Sequence, residues 1–305
     1  MFSSLKALLS SIVDYAGLFP PARLTLREAI ANYARYRQTP YKWMLGRFIL
    51  PVSRLAELET LLADVFSENT IASPQSLSAI LSENWELELK QIQAFNHKNE
   101  IAIGQSPRYA IASVEFQPLP PEEISRAIPH LPTEIESFFE IPLSENLETY
   151  LSVLQGTKAS AKIRTGGLTV EAFPSVDRLC RFMFASAGVR VPFKATAGLH
   201  HLLPGKYPVS YEPNSIVATM QGFINVALLA ALVYWQKITQ QEALAVFQES
   251  SIASFHFQDD RIVWNDRQLT ISEIEESRQL FYRSFGSCSF QEPLDELGSL
   301  NLIST

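Results

Sequence analysis

The sequence predicts a parallel (β/α)8 TIM barrel carrying a small C-terminal hairpin and helix extension, and three observations carry that expectation. Eight short apolar or alternating segments are separated by stretches of helical periodicity, the pattern of a parallel sheet with crossover helices. The 305 residues, 47% of them apolar, can bury one barrel of about 250 residues with insertions. No glycine-rich nucleotide loop follows an early strand, which removes the usual mark of a doubly wound open sheet. We therefore expect one domain over residues 1–305, with no linker or internal repeat dividing it.

Ile12 to Phe19 reads as the first strand and its loop, ended by Pro20-Pro21. Thr25 and Glu28 form a capping-box pattern ahead of a helix from Leu26 to Arg37, which stops before Thr39-Pro40. Met44 to Pro51 is the second strand, Ser53 to Phe66 a helix with a leucine-rich face, and Ser76 to Leu81 a third strand. Glu86 to Asn96 is helical, and Ala112 to Gln117 alternates polar and apolar residues as a fourth strand. Pro120-Pro121 opens the next helix, Ser137 to Pro142 is the fifth strand, and Leu147 to Gln155 is the helix after it. The sixth and seventh strands, Ala161 to Gly167 and Phe193 to Gly198, are joined by a helix from Phe173 to Gly188 with Ser175 as its N-cap. Met220 to Val226 is the expected eighth strand, followed by apolar helices from Ala227 to Gln236 and from Gln240 to Glu249. An appended hairpin within 250–269 pairs Phe255 to Phe257 with Arg261 to Trp264, and Thr270 with Glu273 begins a last helix. The segment 285–305 is a candidate cover for the barrel mouth.

Composition narrows the function classes. A net charge of −7 and a pI near 5.4 argue against nucleic acid or an anionic membrane surface as partner. The longest apolar run, Val226 to Trp235, falls short of the roughly 20 residues of a membrane span, and Met1 to Val13 has no signal-peptide cleavage pattern. Two cysteines, Cys180 and Cys288, suggest no disulfide framework and fit a cytoplasmic protein. No Cys/His cluster points to structural zinc, and no cofactor motif is present. A small molecule is the expected partner, and a homo-oligomer is compatible with the sequence.

Strand alternation assigns the inward face. Lys162 shares it with Arg164, Lys194 with Thr196, and Glu115 with Ser113 and Gln117, while Arg47 and Glu140 fit the same rule. The expected mouth gathers Arg47, Lys162, Arg164 and Lys194 against Asp14, Glu115 and Glu140, a set suited to an anionic or carbonyl-bearing ligand. A right-handed crossover sets Lys162 and Lys194 side by side on parallel neighbours. An amine beside another cation gives up its proton more easily, and a neutral amine attacks a carbonyl to form a Schiff base. Gly166, Gly167 and Gly198 end these strands and let backbone N–H groups approach a phosphate or carboxylate. Arg164 either grips a substrate carboxylate or bridges inward carboxylates. Asp14 either orients Lys194 or caps the Pro20-Pro21 turn. His200 is a candidate acid/base, and His200 and His201, adjacent in an extended segment, point apart rather than to one metal. Asn225 joins the binding set from the expected eighth strand, and Cys288, with no base placed beside it, reads as structural.

The pattern Lys162-x-x-Thr165-Gly166, then Lys194-x-x-x-Gly198, resembles the Schiff-base strand and the following lysine strand of deoxyribose-phosphate aldolases in the class I aldolase superfamily. Val13-Asp14-Tyr15-Ala16-Gly17-Leu18-Phe19-Pro20 is similar to that family's opening segment, and the strand order agrees over about residues 12–226. The resemblance implies Lys162 as nucleophile, Lys194 as the neighbouring cation that eases its deprotonation, Glu115 in proton transfer, and Gly166 and Gly198 at a substrate phosphate. Arg164 stands where the family has a small polar residue, and Met220 to Asn225 lacks its serine-rich phosphate loop, so a divergent relative with altered chemistry is implied. The expected activity is that of a metal-independent lyase on a small carbonyl compound bearing a phosphate or carboxylate. The alternatives are a non-covalent phosphosugar isomerase or epimerase using Glu115 and Glu140, and a binding or scaffold protein on a barrel.

Overall fold

The computed structural model describes residues 1–65, 75–101, 109–144 and 146–304. Its centre is a closed barrel of eight parallel strands: Val13–Tyr15, Leu45–Pro51, Gln75–Ile80, Tyr109–Phe116, Glu136–Glu140, Ala159–Arg164, Phe193–Thr196 and Tyr282–Ser287. The first seven follow one another round the ring in chain order, and the eighth closes it between the seventh and the first. Helices cover the outside, so the fold is a (β/α)8 TIM barrel.

Local chemistry sets the helix starts. Thr25 with Glu28 and Thr270 with Glu273 complete reciprocal capping boxes, and the Ser175 side chain accepts the Arg178 N–H. The helix Leu55–Val65 follows the second strand, and the expected end at Phe66 lies outside the described residues. A short helix, Ser3–Leu9, precedes the first strand and packs against the helix Ile271–Leu280. None of the described helices is long and apolar enough to cross a membrane.

The eighth strand is the main correction. Met220 to Val226 is not in the barrel: Val217–Met220 pairs antiparallel with Gly205–Pro208 in a separate two-stranded sheet, and Phe223–Tyr234 is a helix. Every residue from Phe223 to Val233 is buried, because this helix packs against Val176–Gly188, Gln240–Gln248 and Ile271–Leu280 as well as the barrel. A segment apolar on all sides has no periodicity with which to tell buried helix from buried strand. The eighth strand instead comes after the last expected helix, at Tyr282–Ser287, and Phe285 onward is therefore barrel wall before it is cover. Helix Gln291–Ser299 then follows beside the mouth. The hairpin gains a third strand, giving an antiparallel sheet of Phe255–Phe257, Arg261–Trp264 and Arg267–Thr270.

Candidate functional site

The barrel separates two kinds of side chain. Val114, Phe116, Ala161, Ile163, Phe193 and Ala195 belong to the apolar layer under the helices, while their strand neighbours Ser113, Glu115, Lys162 and Lys194 are buried polar residues of the interior. In the parallel register Lys162 stands opposite Lys194 on one side and Glu140 on the other.

These groups form one alternating chain of charge. Lys194 Nζ lies 2.6 Å from Asp14 Oδ2 and 2.7 Å from Glu115 Oε1. Lys162 Nζ lies 3.3 Å from Glu115 Oε2 and 3.1 Å from Glu140 Oε2, and Arg164 Nε donates to Glu140 Oε1 at 3.0 Å. Ser78 donates to Glu115 at 2.8 Å, Ser113 donates to Ser78 at 2.8 Å, and Ser284 donates to Asp14 Oδ2 at 2.7 Å. The other oxygen of Asp14 accepts the Arg47 backbone N–H at 2.8 Å. Gly46 is required there, since a Cβ would sit 2.4 Å from Asp14 Oδ1. Lys194 is 0% exposed and lies 5.2 Å from the centre of the Phe138 ring. Charges this deep are tolerated only when each is paired and hydrogen-bonded, as here.

Burial alone would raise the Glu115 carboxyl, but Lys194 and then Lys162 overcome it and hold the group at about 2. Burial likewise opposes the charged form of Lys194, and Asp14 with Glu115 more than offsets it, raising the ammonium above the ordinary lysine range.

Above this network, at the C-terminal ends of the strands, a cavity of about 660 Å³ is floored by Glu115, Glu140 and Lys162. Lys194 and Asp14 lie beneath the floor and do not line it. Arg164, an exposed side chain, and Thr196 reach the wall, with Gly167 and Gly198. Gly198 has φ +77°, and a Cβ there would stand 2.6 Å from the Thr165 carbonyl. Gly166 packs on Gly198, so its immediate role is the close approach of the sixth and seventh strand ends; it does not line the cavity. Thr165 strengthens that junction by donating to the Ala197 carbonyl.

The rim holds a second polar cluster. His200 Nδ1 lies 3.2 Å from Glu292 Oε2 and 4.0 Å from Cys288 Sγ, and Tyr211 donates to Glu292 Oε1 at 2.8 Å. Against burial, Cys288 and Glu292 push the His200 imidazole up to about 10. Burial first, then Cys288 and Glu292, raises the Tyr211 hydroxyl. His201 turns to Glu296 at 2.5 Å and stacks on Tyr207, so the two histidines serve different partners. Among the described residues no three His, Cys, Asp or Glu side chains are grouped as a metal site.

Two members of the sequence-derived set lie elsewhere. Arg47 is near the start of its strand, at the opposite end of the barrel, with Nη2 2.8 Å from Glu136. Alternation gives its face correctly but not its height. Asn225 is buried in the helix Phe223–Tyr234 and donates to the carbonyls of Val246 and Glu249 at 2.7 and 2.8 Å. Asp14 is found against Lys194, the first of its two expected roles. Cys288 is in the cavity wall with the His200 ring 4.0 Å away, a neighbour that sequence distance concealed. Serines 78 and 113 follow from strand alternation, and Cys288 and Glu292 line the cavity as a covering C-terminal segment would place them, whereas Ser284 and Tyr211 are hidden by the misplaced eighth strand and by contacts across loops.

In comparisons with known proteins, no family model, no curated protein and no solved structure matches the chain.

Proposed function

We propose that this barrel is a lyase of the class I aldolase kind, in which Lys162 forms a Schiff base with a small carbonyl compound bearing a phosphate or carboxylate. The observation that carries the reading is the position of Lys162: among the described residues it is the lysine that lines the mouth cavity, between two carboxylates and beside a second, buried lysine.

For Lys162 to react, its ammonium must release a proton to a neighbour. Glu115, held at about 2 by two ammonium groups, is a weak base and serves to fix both lysines. Glu140 touches Lys162 and lines the cavity, which places it to take that proton. The free amine adds to the carbonyl carbon while the π pair moves to oxygen. Protonation and departure of that oxygen as water leave an iminium. As the β-hydroxyl gives its proton to a mouth carboxylate and becomes a carbonyl, the Cα–Cβ bond breaks, its pair forming an enamine while the C=N π pair passes to nitrogen; protonation of the enamine and hydrolysis then free the amine. Lys194, neutralised by Asp14 and Glu115, holds the floor in place. Arg164 and the Gly198 turn sit where an acidic end of the substrate would be gripped.

An iminium also acidifies the adjacent C–H bond, which gives a test needing no knowledge of the natural substrate. Small aldehydes, ketones and 2-keto acids are incubated with the protein in D2O and followed by proton NMR. The proposal expects α-proton exchange by the wild type and none by Lys162→Ala. Exchange that persists in Lys162→Ala and disappears in Glu140→Gln would replace it with the non-covalent proton-carrier reading. Absence of exchange across the panel with wild type would favour a binding protein.

A further inference from the structure

The opposite end of the barrel holds a second cavity, of about 680 Å³, that the chemistry above does not use. Lys6, Arg37, Arg47, Arg278 and Arg283 line it, against the carboxylates Asp14, Glu136 and Glu275. Two of those carboxylates are already engaged: Asp14 holds Lys194, and Glu136 is shared by Arg47 and Arg283. The excess is therefore positive.

Arg278 carries that excess. It donates to the backbone carbonyls of Tyr282 and Ser10, which uses two of the five N–H groups of a guanidinium. Its Nε is buried and hydrogen-bonds to nothing among the described residues, and no carboxylate among them lies within ion-pair distance. The guanidinium stands over the Tyr282 ring at 5.5 Å, which fixes its plane. Half-buried cations are costly when unpaired, and the planar fork matches two oxygens of one anion.

We propose that this cavity is a binding site for a small oxyanion, a phosphate or carboxylate group, with Arg278 as its main contact and Arg283 and Lys6 beside it. The site is separate from the mouth and stands whether or not Lys162 forms a Schiff base. It touches the central network at Asp14 and Ser284, which line this cavity and bond to one another. Burial, with Arg283 adding repulsion, brings the Arg278 guanidinium down to about 10, so it remains charged at neutral pH.

The test is calorimetric titration of the full chain at low ionic strength with inorganic phosphate and, separately, malonate. Arg164→Gln, which disarms the mouth, is expected to keep a site for at least one of the two with the affinity that site has in wild type. Adding Arg278→Met to Arg164→Gln is expected to weaken that site about tenfold or more. Should Arg278→Met fail to fold, Arg283→Gln replaces it and is expected to weaken binding in the same direction. Binding of phosphate alone identifies a phosphate-bearing ligand, and binding of malonate alone a carboxylate. Loss of binding in Arg164→Gln with retention in Arg278→Met would overturn the proposal by placing the anion at the mouth. Equal binding by all variants, or no binding of either probe, would overturn it as well.

Discussion

Glu115 lies between two ammonium groups, with Lys194 2.7 Å from one oxygen and Lys162 3.3 Å from the other, and its carboxyl is held at about 2. An ordinary carboxylate titrates near 4.3 in an unfolded chain, so the folded state favours the ionised form. A depressed value gives stability that is present above the unfolded pKa and lost as pH falls toward the folded one. The window is therefore about pH 5 down to about 2, and the contribution above it is on the order of 3 kcal/mol. Lys194 acts on the other flank: its raised value gives stability that is present below about 10.4 and lost as pH rises through the folded value. Glu115→Gln leaves two buried cations short of a partner and is expected to cost about 3 kcal/mol at pH 7, read from the urea midpoint. The same variant should flatten the stability profile between pH 5 and 2. Partial recovery is expected in Glu115→Gln with Lys194→Met, because the unpaired charge goes with its partner. A variant as stable as wild type at pH 7 would show that the network is better solvated than its geometry implies.

At the scale of the element, alternation carried most of the site. The pairs Lys162 with Arg164, Lys194 with Thr196 and Ser113 with Glu115 follow from a period of two, a local property that short sequence windows contain. Height along the strand is a different quantity. Glu140 ends its strand and reaches the mouth, whereas Arg47 is the third residue of Leu45–Pro51 and reaches the other end. Helix Phe223–Tyr234 shows the second limit, since its eleven buried residues from Phe223 to Val233 leave no polar stripe to reveal its period. Asn225 makes the distinction testable. It ties that helix to the carbonyls of Val246 and Glu249, so Asn225→Leu is expected to destabilise the fold by about 2 kcal/mol in thermal unfolding. Chemistry at Lys162 should be unchanged in the folded variant. Loss of that chemistry at full stability would return Asn225 to the site.

At the scale of the whole molecule, the barrel is closed by its last strand, which pairs with both the first and the seventh. Phe285 is fully buried and Ser284 holds Asp14, so a chain ending after Leu280 would open the sheet and strand the Asp14–Lys194 pair. Such a chain is expected to show no cooperative unfolding transition by circular dichroism; a normal transition would mean that the first seven strands close without the eighth. This long-range closure was the least legible feature in the sequence, because the eighth strand follows the seventh only after some eighty-five residues of sheet, helix and hairpin. The contacts of His200 with Cys288 and Glu292 span the same gap. The paired lysines, by contrast, are joined by one crossover helix and were readable from spacing alone. The measurement that bears most directly on the account is borohydride trapping. Wild type and Lys162→Ala are incubated with the same carbonyl panel under borohydride, followed by intact mass and peptide mapping. The account predicts a substrate-sized adduct on Lys162 that the variant lacks. An adduct on another lysine, or the same adduct in Lys162→Ala, would contradict it.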